Sequence, residues 1–493
     1  MLKLEKVCQK IEAPKDFKKV DLTYYLVKPF VKAHVYFNGV EIMYEVIEPK
    51  LAKNDIEIFN KIYKGILQLI DISPTKIPSH NKLVKYLEDK IRYLLEQYDI
   101  EITDNQFYKI VYFIHRDFVG LNEIEPLMHD DYIEDINCNG LNTEIYIKHR
   151  LFGNVKTNIK YSEEFKLKDF IIKLAQRCNR YITYSSPFLE GSLEDGSRVQ
   201  GAISEEVSPR GPNFSIRKFR RIPFSPTELI VENSISAESL AYLWYMIEHQ
   251  VNILIIGSAG AGKTTFLNAI SLFIPINSKI VSIEDTRELR FYHENWIATV
   301  SRESFGGLKI GEVDLNKLLR ESFRENPDYV VVGEVRGKET YVMFQGIASG
   351  HPTLSTFHSD DLTSVVSRLK TPPISLSSSL IDLLDIVITV AKYSKKNLLT
   401  RKVKKIEEFM STDESTGKIN TNNISVWNGS KDNFNYNKDS KLAGRIASNE
   451  GIDAVKIGRE IENRTKFLKK LVSRKIFNFD KVQKELQKYD SSI

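Results

Sequence analysis

Cysteine is scarce: Cys8, Cys138 and Cys178 are the only three in 493 residues, and none is spaced as C-x-x-C. Neither a disulfide framework nor a zinc module is encoded, and a reducing interior is the simple expectation. Long apolar runs are missing as well. Nothing approaches the roughly 18 apolar residues of a membrane span, since Ile381 to Ala391 is short and carries Asp382 and Asp385. Any membrane contact is therefore expected to be peripheral. The opening MLKLEKVCQKIEAPKDFKK is charged within its first few residues and has no apolar centre, unlike a signal peptide. No sign of charge dominates: 70 basic residues face 65 acidic ones, for a net charge of +5, which does not suggest a nucleic-acid binder. No repeat recurs at periods of about 20 to 50 residues.

What is present is an ordinary globular composition, 42% hydrophobic and 27% charged, in a chain longer than one core usually spans. The most informative stretch is Val251 to Asn268, VNILIIGSAGAGKTTFLN. Ile253 to Ile256 is too short for a helix and rich in β-branched residues, so it reads as a buried strand. Gly257, Ser258, Ala259, Gly260, Ala261 and Gly262 then let several backbone N–H groups converge where a helix begins, and the helix dipole favours negative charge there. This is a phosphate-binding loop. Lys263 would reach the β- and γ-phosphates of ATP, the Thr264 hydroxyl would hold a bridging Mg2+, and Thr265 completes the binding set.

Hydrolysis also needs an acidic group for the attacking water and cations for the charge that develops on the phosphoryl group. The first candidate stretch is Ser282-Ile-Glu284-Asp285-Thr-Arg-Glu288. It places acids after a strand, on the sheet edge where the loop lies. In the second, Pro327 to Arg336, an apolar strand delivers Glu334 and Arg336 to that edge. It resembles a Walker B strand, but Gly333 stands where an aspartate is usual, leaving Mg2+ to Thr264, Glu334, water and Glu284. The third, Gly350 to Asp360, carries His351 and His358, seven apart across an expected strand and not at zinc spacing. Both a γ-phosphate contact and a subunit contact suit these histidines.

In this order the four stretches resemble the secretion ATPase superfamily: GSAGAGKT its Walker A, SIEDTREL its aspartate box, VVVGEVR its Walker B and SGHPTLSTFH its histidine box. Within it the chain looks most like archaeal type IV pilus and archaellum assembly ATPases. DDYIEDI at 130–136, LEDGSRV at 193–199, SIRKFR at 215–220 and HENW at 293–296 are similar to that group too. The resemblance implies a C-terminal RecA-like P-loop ATPase core preceded by a smaller α+β domain and a helical N-terminal region. It implies that Glu284, Glu288 and Glu334 include the water-orienting base, and that Arg217 and Arg220 approach the phosphates across a linker. It also implies a ring, a hexamer, in which Arg320, Arg324 or Arg336 meets transition-state charge in the same or a neighbouring subunit. Such a motor would work at the inner face of the cell membrane on an integral membrane platform protein, with no nucleic acid as partner. A DNA-handling or conjugation ATPase is the competing reading.

Residues 1–125 are expected to be mixed and largely helical, with a hairpin at Asn38-Gly39, and residues 126–220 to form the α+β domain. Pro223 and Pro226 mark residues 221–236 as a linker. Residues 237–393 alternate strands and helices as in a parallel sheet, and residues 394–493 read as a hairpin and helices, the last capped by Asp480. Lys392 to Lys405 holds seven basic residues in fourteen, either a solvated strand and turn or a face for acidic lipid headgroups or a membrane partner.

Overall fold

The computed structural model describes residues 5–6, 11, 16–69, 80–219, 223–302, 311–395, 398–413 and 418–491. It divides into two compact units, Met1–Phe219 and Arg220–Ile493. Arg220 itself lies outside the described residues.

In the first unit, strands β1 (Glu5–Lys6), β2 (Asp21–Lys28), β3 (Val31–Phe37) and β4 (Ile42–Ile47) precede helices α1 (Lys53–Leu69), α2 (His80–Gln97), α3 (Asp104–Phe118) and α4 (Glu125–Met128). Then come β5 (Ile133–Cys138), β6 (Glu144–His149), β7 (Gly153–Lys160), α5 (Glu164–Arg177), β8 (Phe188–Ser192), β9 (Arg198–Ala202) and β10 (Asn213–Arg217). Among the described residues the strands form one ten-stranded sheet in the order β1-β2-β3-β4-β7-β6-β5-β10-β9-β8. The boundary expected near residue 125 therefore does not separate two sheets, because β4 pairs with β7 at Met43–Lys156 and Tyr44–Thr157. Buried Asp130 reinforces the join: its Oδ2 accepts from the hydroxyls of Tyr24 at 2.6 Å and Tyr44 at 2.7 Å. The expected hairpin turn lies between β3 and β4, and the helical content sits in α1 to α3, which bury Ile62, Leu87, Ile91 and Ile110 against one another.

The second unit opens with α6 (Pro226–Val231) and α7 (Ala237–Glu248). The proline-bearing segment expected as a linker is thus partly an ordered helix. Ser225 and Glu228 form a reciprocal capping box with Pro226 in the first turn, and proline is pre-organised for that position. Ser225 and Thr227 also donate to the carbonyls of Phe477 and Ile476 at 2.6 and 2.7 Å, fastening the segment to the end of the chain. The core follows as β11 (Ile253–Gly257), α8 (Lys263–Ile270), β12 (Ile280–Glu284), β13 (Trp296–Val300), α9 (Leu315–Arg324), β14 (Tyr329–Val335), α10 (Glu339–Ala348) and β15 (Thr353–His358). It continues through α11 (Leu362–Lys370), α12 (Ser378–Ile381), β16 (Ile386–Lys395), β17 (Leu398–Thr412), β18 (Ile419–Asn428) and β19 (Asn433–Tyr436), and closes with α13 (Lys441–Glu450), α14 (Ala454–Ser473) and α15 (Phe479–Asp490).

The sheet order is β13-β12-β14-β15-β11-β16-β17-β18-β19. Strands β13 to β16 run parallel, and β17 to β19 extend the same sheet antiparallel. This is the α/β architecture of a RecA-like P-loop core. Its sheet is buried on both faces, as parallel sheets require: Ile253 and Ile255 enter one apolar cluster with Trp244 and Leu468, while Leu254 and Ile256 enter another with Val332 and Phe357. The final helix is capped by Asn478, whose Oδ1 accepts from the Lys481 N–H at 3.2 Å, so Asp480 sits inside the first turn instead of capping it. Among the described residues no helix is long and apolar enough to cross a membrane.

Candidate nucleotide site

The phosphate loop leaves β11 at its carboxyl end and enters α8 at Lys263. Gly257 is required by close approach, since a Cβ there would stand 2.4 Å from the Val390 carbonyl oxygen. Gly262, at the N-cap of α8, has φ +94°, a conformation that a side chain would strain. Between them the Ala261 N–H donates to the Ser258 carbonyl at 3.2 Å, closing a tight turn over Ala259 and Gly260. Ala261 is buried. Thr264 and Thr265 are half-buried on the first turn of the helix.

Lys263 is only 8% exposed. Its Nζ donates to the Gly257 carbonyl at 3.0 Å and lies 3.8 Å from Oε1 of Glu334. Burial presses the ammonium below its ordinary pKa, and the Glu334 carboxylate opposes that shift. Glu334 also accepts from Arg336, whose Nε is 3.0 Å from Oε2. Its position at the end of β14 puts it two strands from the loop, with only β15 between.

Glu284 ends β12 and is 2% exposed. Its Oε1 accepts from the backbone N–H groups of Glu288 at 2.6 Å and Leu289 at 2.7 Å, while its buried Oε2 has no hydrogen-bond partner among the described residues. Burial pushes its pKa up to about 7, against those two backbone bonds. A Cβ at Gly333 would lie 3.3 Å from the Cγ methylene of Glu284, a tight contact, so the Glu284 side chain packs directly against this position. Glu288 contributes its backbone N–H to Glu284, and its carbonyl is held at 2.9 Å by Asn268 Nδ2, whose Oδ1 accepts from the Arg290 N–H, also at 2.9 Å. Asn268 was not singled out in the sequence, although a buried amide on the helix after a phosphate loop is a usable signal.

The two histidines separate. His358 pairs in register with Gly257 at the root of the loop. His351 precedes the other end of β15, about 20 Å away at roughly 3.3 Å per residue, with its Nδ1 3.3 Å from the Gly346 carbonyl and its ring 5.0 Å from that of Phe323. The length of a six-residue strand thus separates His351 from the loop of its own chain, which leaves the subunit contact as the role open to it. Arg320 and Arg324 are exposed on α9, the latter paired with Glu321. Arg217 belongs to the first unit, where its exposed side chain is 3.2 Å from Asp135 across β10 and β5.

The basic stretch at 392–405 is not one solvated face. Lys402 is 4% exposed, donates to the Asn233 carbonyl at 2.8 Å and pairs with Asp432 at 2.8 Å. The alternation of a strand turns its neighbours the other way, and Arg401 donates through Nε to the Gly260 carbonyl at 3.1 Å.

The residues present suit a nucleotide and its metal. Glycines hold open a cradle that a Cβ would fill, a buried lysine stands at its root, and one buried carboxylate oxygen remains unspent. Among the described residues no group of three or more His, Cys, Asp or Glu is arranged to hold a metal by itself.

Residues 121–433 match the family model described as Type II/IV secretion system protein. An uncharacterized protein of Methanocaldococcus jannaschii is 36% identical over 388 residues, covering 78% of this chain and 70% of that protein. The conjugal transfer protein TrbB of Rhizobium radiobacter is 29% identical over 241 residues, covering 47% of this chain and 71% of its own length. Among solved structures, the pilus retraction motor PilT with bound ADP is similar at 17% identity and a TM-score of 0.40, over 55% of this chain and 78% of that one.

Proposed function

Because the chain belongs to the type II/IV secretion system protein family, we propose that it is an ATP-hydrolysing motor that drives assembly of a type IV pilus-like or archaellum filament from the cytoplasmic side of a membrane. The observation that carries the hydrolytic part is the 3.8 Å approach of Lys263 to Glu334, with Glu284 ending the strand next to that of Glu334, at the edge where open α/β sheets bind ligands.

In this reading the loop N–H groups and Lys263 bind the phosphates. The Thr264 hydroxyl and Glu334 would hold Mg2+, which supplies charge neutralisation between the phosphates. Glu284 takes the proton of the attacking water: its spare Oε2 is the acceptor, and a pKa near 7 suits a base working near neutrality. The Glu288 and Leu289 N–H groups hold the carboxylate, and Asn268 holds that segment. Ring assembly as a hexamer would let Arg320, Arg324 or Arg336 meet transition-state charge within or between subunits. Contacts of Arg217 and Arg220 made with ATP and lost with ADP would turn hydrolysis into domain displacement, since only differential contact biases such an equilibrium. An integral membrane platform protein is the proposed anchor.

Deletion of the gene, complemented by wild type or Lys263→Ala, tests the output by imaging surface filaments. Filaments should return only with wild type; normal filaments with Lys263→Ala would refute the scheme. Relatives named for conjugal transfer favour a second reading, a DNA-handling motor. It requires hydrolysis stimulated by nucleic acid with steep salt dependence.

A further inference from the structure

The basic hairpin next to the phosphate loop has no role in the scheme above. Strand β16 lies parallel to β11 from Ile253–Ile386 to Ile256–Thr389, then runs on past the point where β11 ends and the loop begins. Strand β17 returns antiparallel along that overhang, setting Arg401 directly opposite Lys392. Both side chains reach the loop. Arg401 donates from Nε to the Gly260 carbonyl at 3.1 Å, and its Cδ lies 3.0 Å from where a Cβ on Gly262 would stand. Lys392 Nζ lies 2.7 Å from where a Cβ on Gly260 would stand. Two cations thus cover the two loop glycines that have positive φ, Gly260 at +65° and Gly262 at +94°.

The sheet order fixes which flank this is. Glu334 and Lys263 meet on the β14–β15 side of the loop, whereas Lys392 and Arg401 stand on the β16–β17 side. Cations beside the N-terminus of α8 are repelled by its dipole, while an anion held in the loop is attracted by both. Charge on this flank would add to the affinity for phosphates seated in the loop, of which a nucleoside diphosphate keeps the α and β groups after hydrolysis.

We propose that Lys392 and Arg401 are the second wall of the phosphate site, a positioning pair that fixes the loop turn at Gly260 and sets how tightly the nucleoside diphosphate portion is held. Arg401 ties the turn to the paired strands β16 and β17, so less order must be imposed when phosphate binds. Lys392 contributes charge. Neither is a group for the cleavage step, which belongs to the opposite flank. The proposal rests on the nucleotide-hydrolysing reading above.

The test measures equilibrium binding of a fluorescent ADP analogue to the full chain, beside ATP turnover. Arg401→Ala should weaken ADP binding about tenfold, the worth of one charge-assisted hydrogen bond, and raise KM for ATP comparably, while kcat changes less than about threefold. Arg401→Lys keeps the charge without the planar fork and should recover part of the loss. Lys392→Gln, at an exposed position, should weaken ADP binding severalfold and flatten its salt dependence; it is the fallback should Arg401→Ala not fold. Lys404→Gln, exposed on the same hairpin, is the control and should bind as wild type. Unchanged ADP affinity and KM in folded Arg401→Ala and Lys392→Gln would overturn the wall while leaving wild-type turnover intact. A wild type that neither binds nor hydrolyses ATP would instead overturn the function on which it rests.

Discussion

The two ends of the core sheet use the same residue types for different work. At the carboxyl ends, Glu284 is buried with one oxygen bonded and the other unspent. At the amino ends, Asp385 is also buried, yet both its oxygens are engaged: Oδ2 accepts from the Asn252 backbone and side chain at 2.8 and 3.1 Å, and Oδ1 accepts from Arg445. The histidines divide in the same way, His358 beside the loop and His351 against Phe323. Burial alone does not mark a working acid. A buried oxygen without a hydrogen-bond partner at the carboxyl edge of the sheet makes Glu284 the candidate, because its desolvation cost has been left for something else to offset.

The contrast breaks most visibly at Lys263. Lys263→Ala should lower ATP turnover by about three orders of magnitude or more, because it removes the cation that meets transition-state charge; phosphate release within tenfold of wild type would show that the loop does not organise the chemistry. Next comes Glu284, where activity and stability should move oppositely with pH. As the base it must be ionised, so turnover rises as pH climbs through about 7. Its folded pKa is raised above the ordinary carboxylate value, so between roughly pH 4.5 and 7 the folded chain holds more of this proton than the unfolded chain, and stability falls as pH rises through that window. Glu284→Gln should flatten both trends, as read by pH-rate profiles and thermal melts against wild type; an unaltered acid limb would remove Glu284 from the base role. At the other end, Asp385→Ala should cost about 2 kcal/mol of stability by orphaning the Asn252 N–H, with kcat within about twofold of wild type. A large loss of kcat in a folded Asp385→Ala would erase the distinction between the two ends.

The loop and the acidic edge were legible in the sequence because their chemistry is written in local patterns: glycine spacing, Lys263-Thr264, and apolar strands ending in Glu284 and Glu334. That these strands form a parallel sheet followed from strand–helix alternation, whereas their order, β12-β14-β15-β11-β16, comes from the structure. What escaped was set by long-range pairing or by caps. Strand β13 lies at the sheet edge with none of Trp296–Val300 fully buried, and its place in the sheet is set by pairing with β12, not by any local pattern. Pro226 suggested a joint, but the Ser225–Glu228 box made a helix around it. The single sheet of the first unit depends on β4 meeting β7, more than a hundred residues apart, which no local pattern announces. Basic density at 392–405 concealed three environments, one buried at Lys402, one on the loop at Arg401 and one exposed at Lys404.

The most direct test of the central claim is equilibrium ATP binding measured beside single-turnover phosphate release in Glu334→Gln. The substitution preserves shape and removes the carboxylate that faces Lys263 at 3.8 Å. The account predicts ATP binding within about threefold of wild type, with release slowed by about a hundredfold or more. Hydrolysis at the wild-type rate in Glu334→Gln would contradict it.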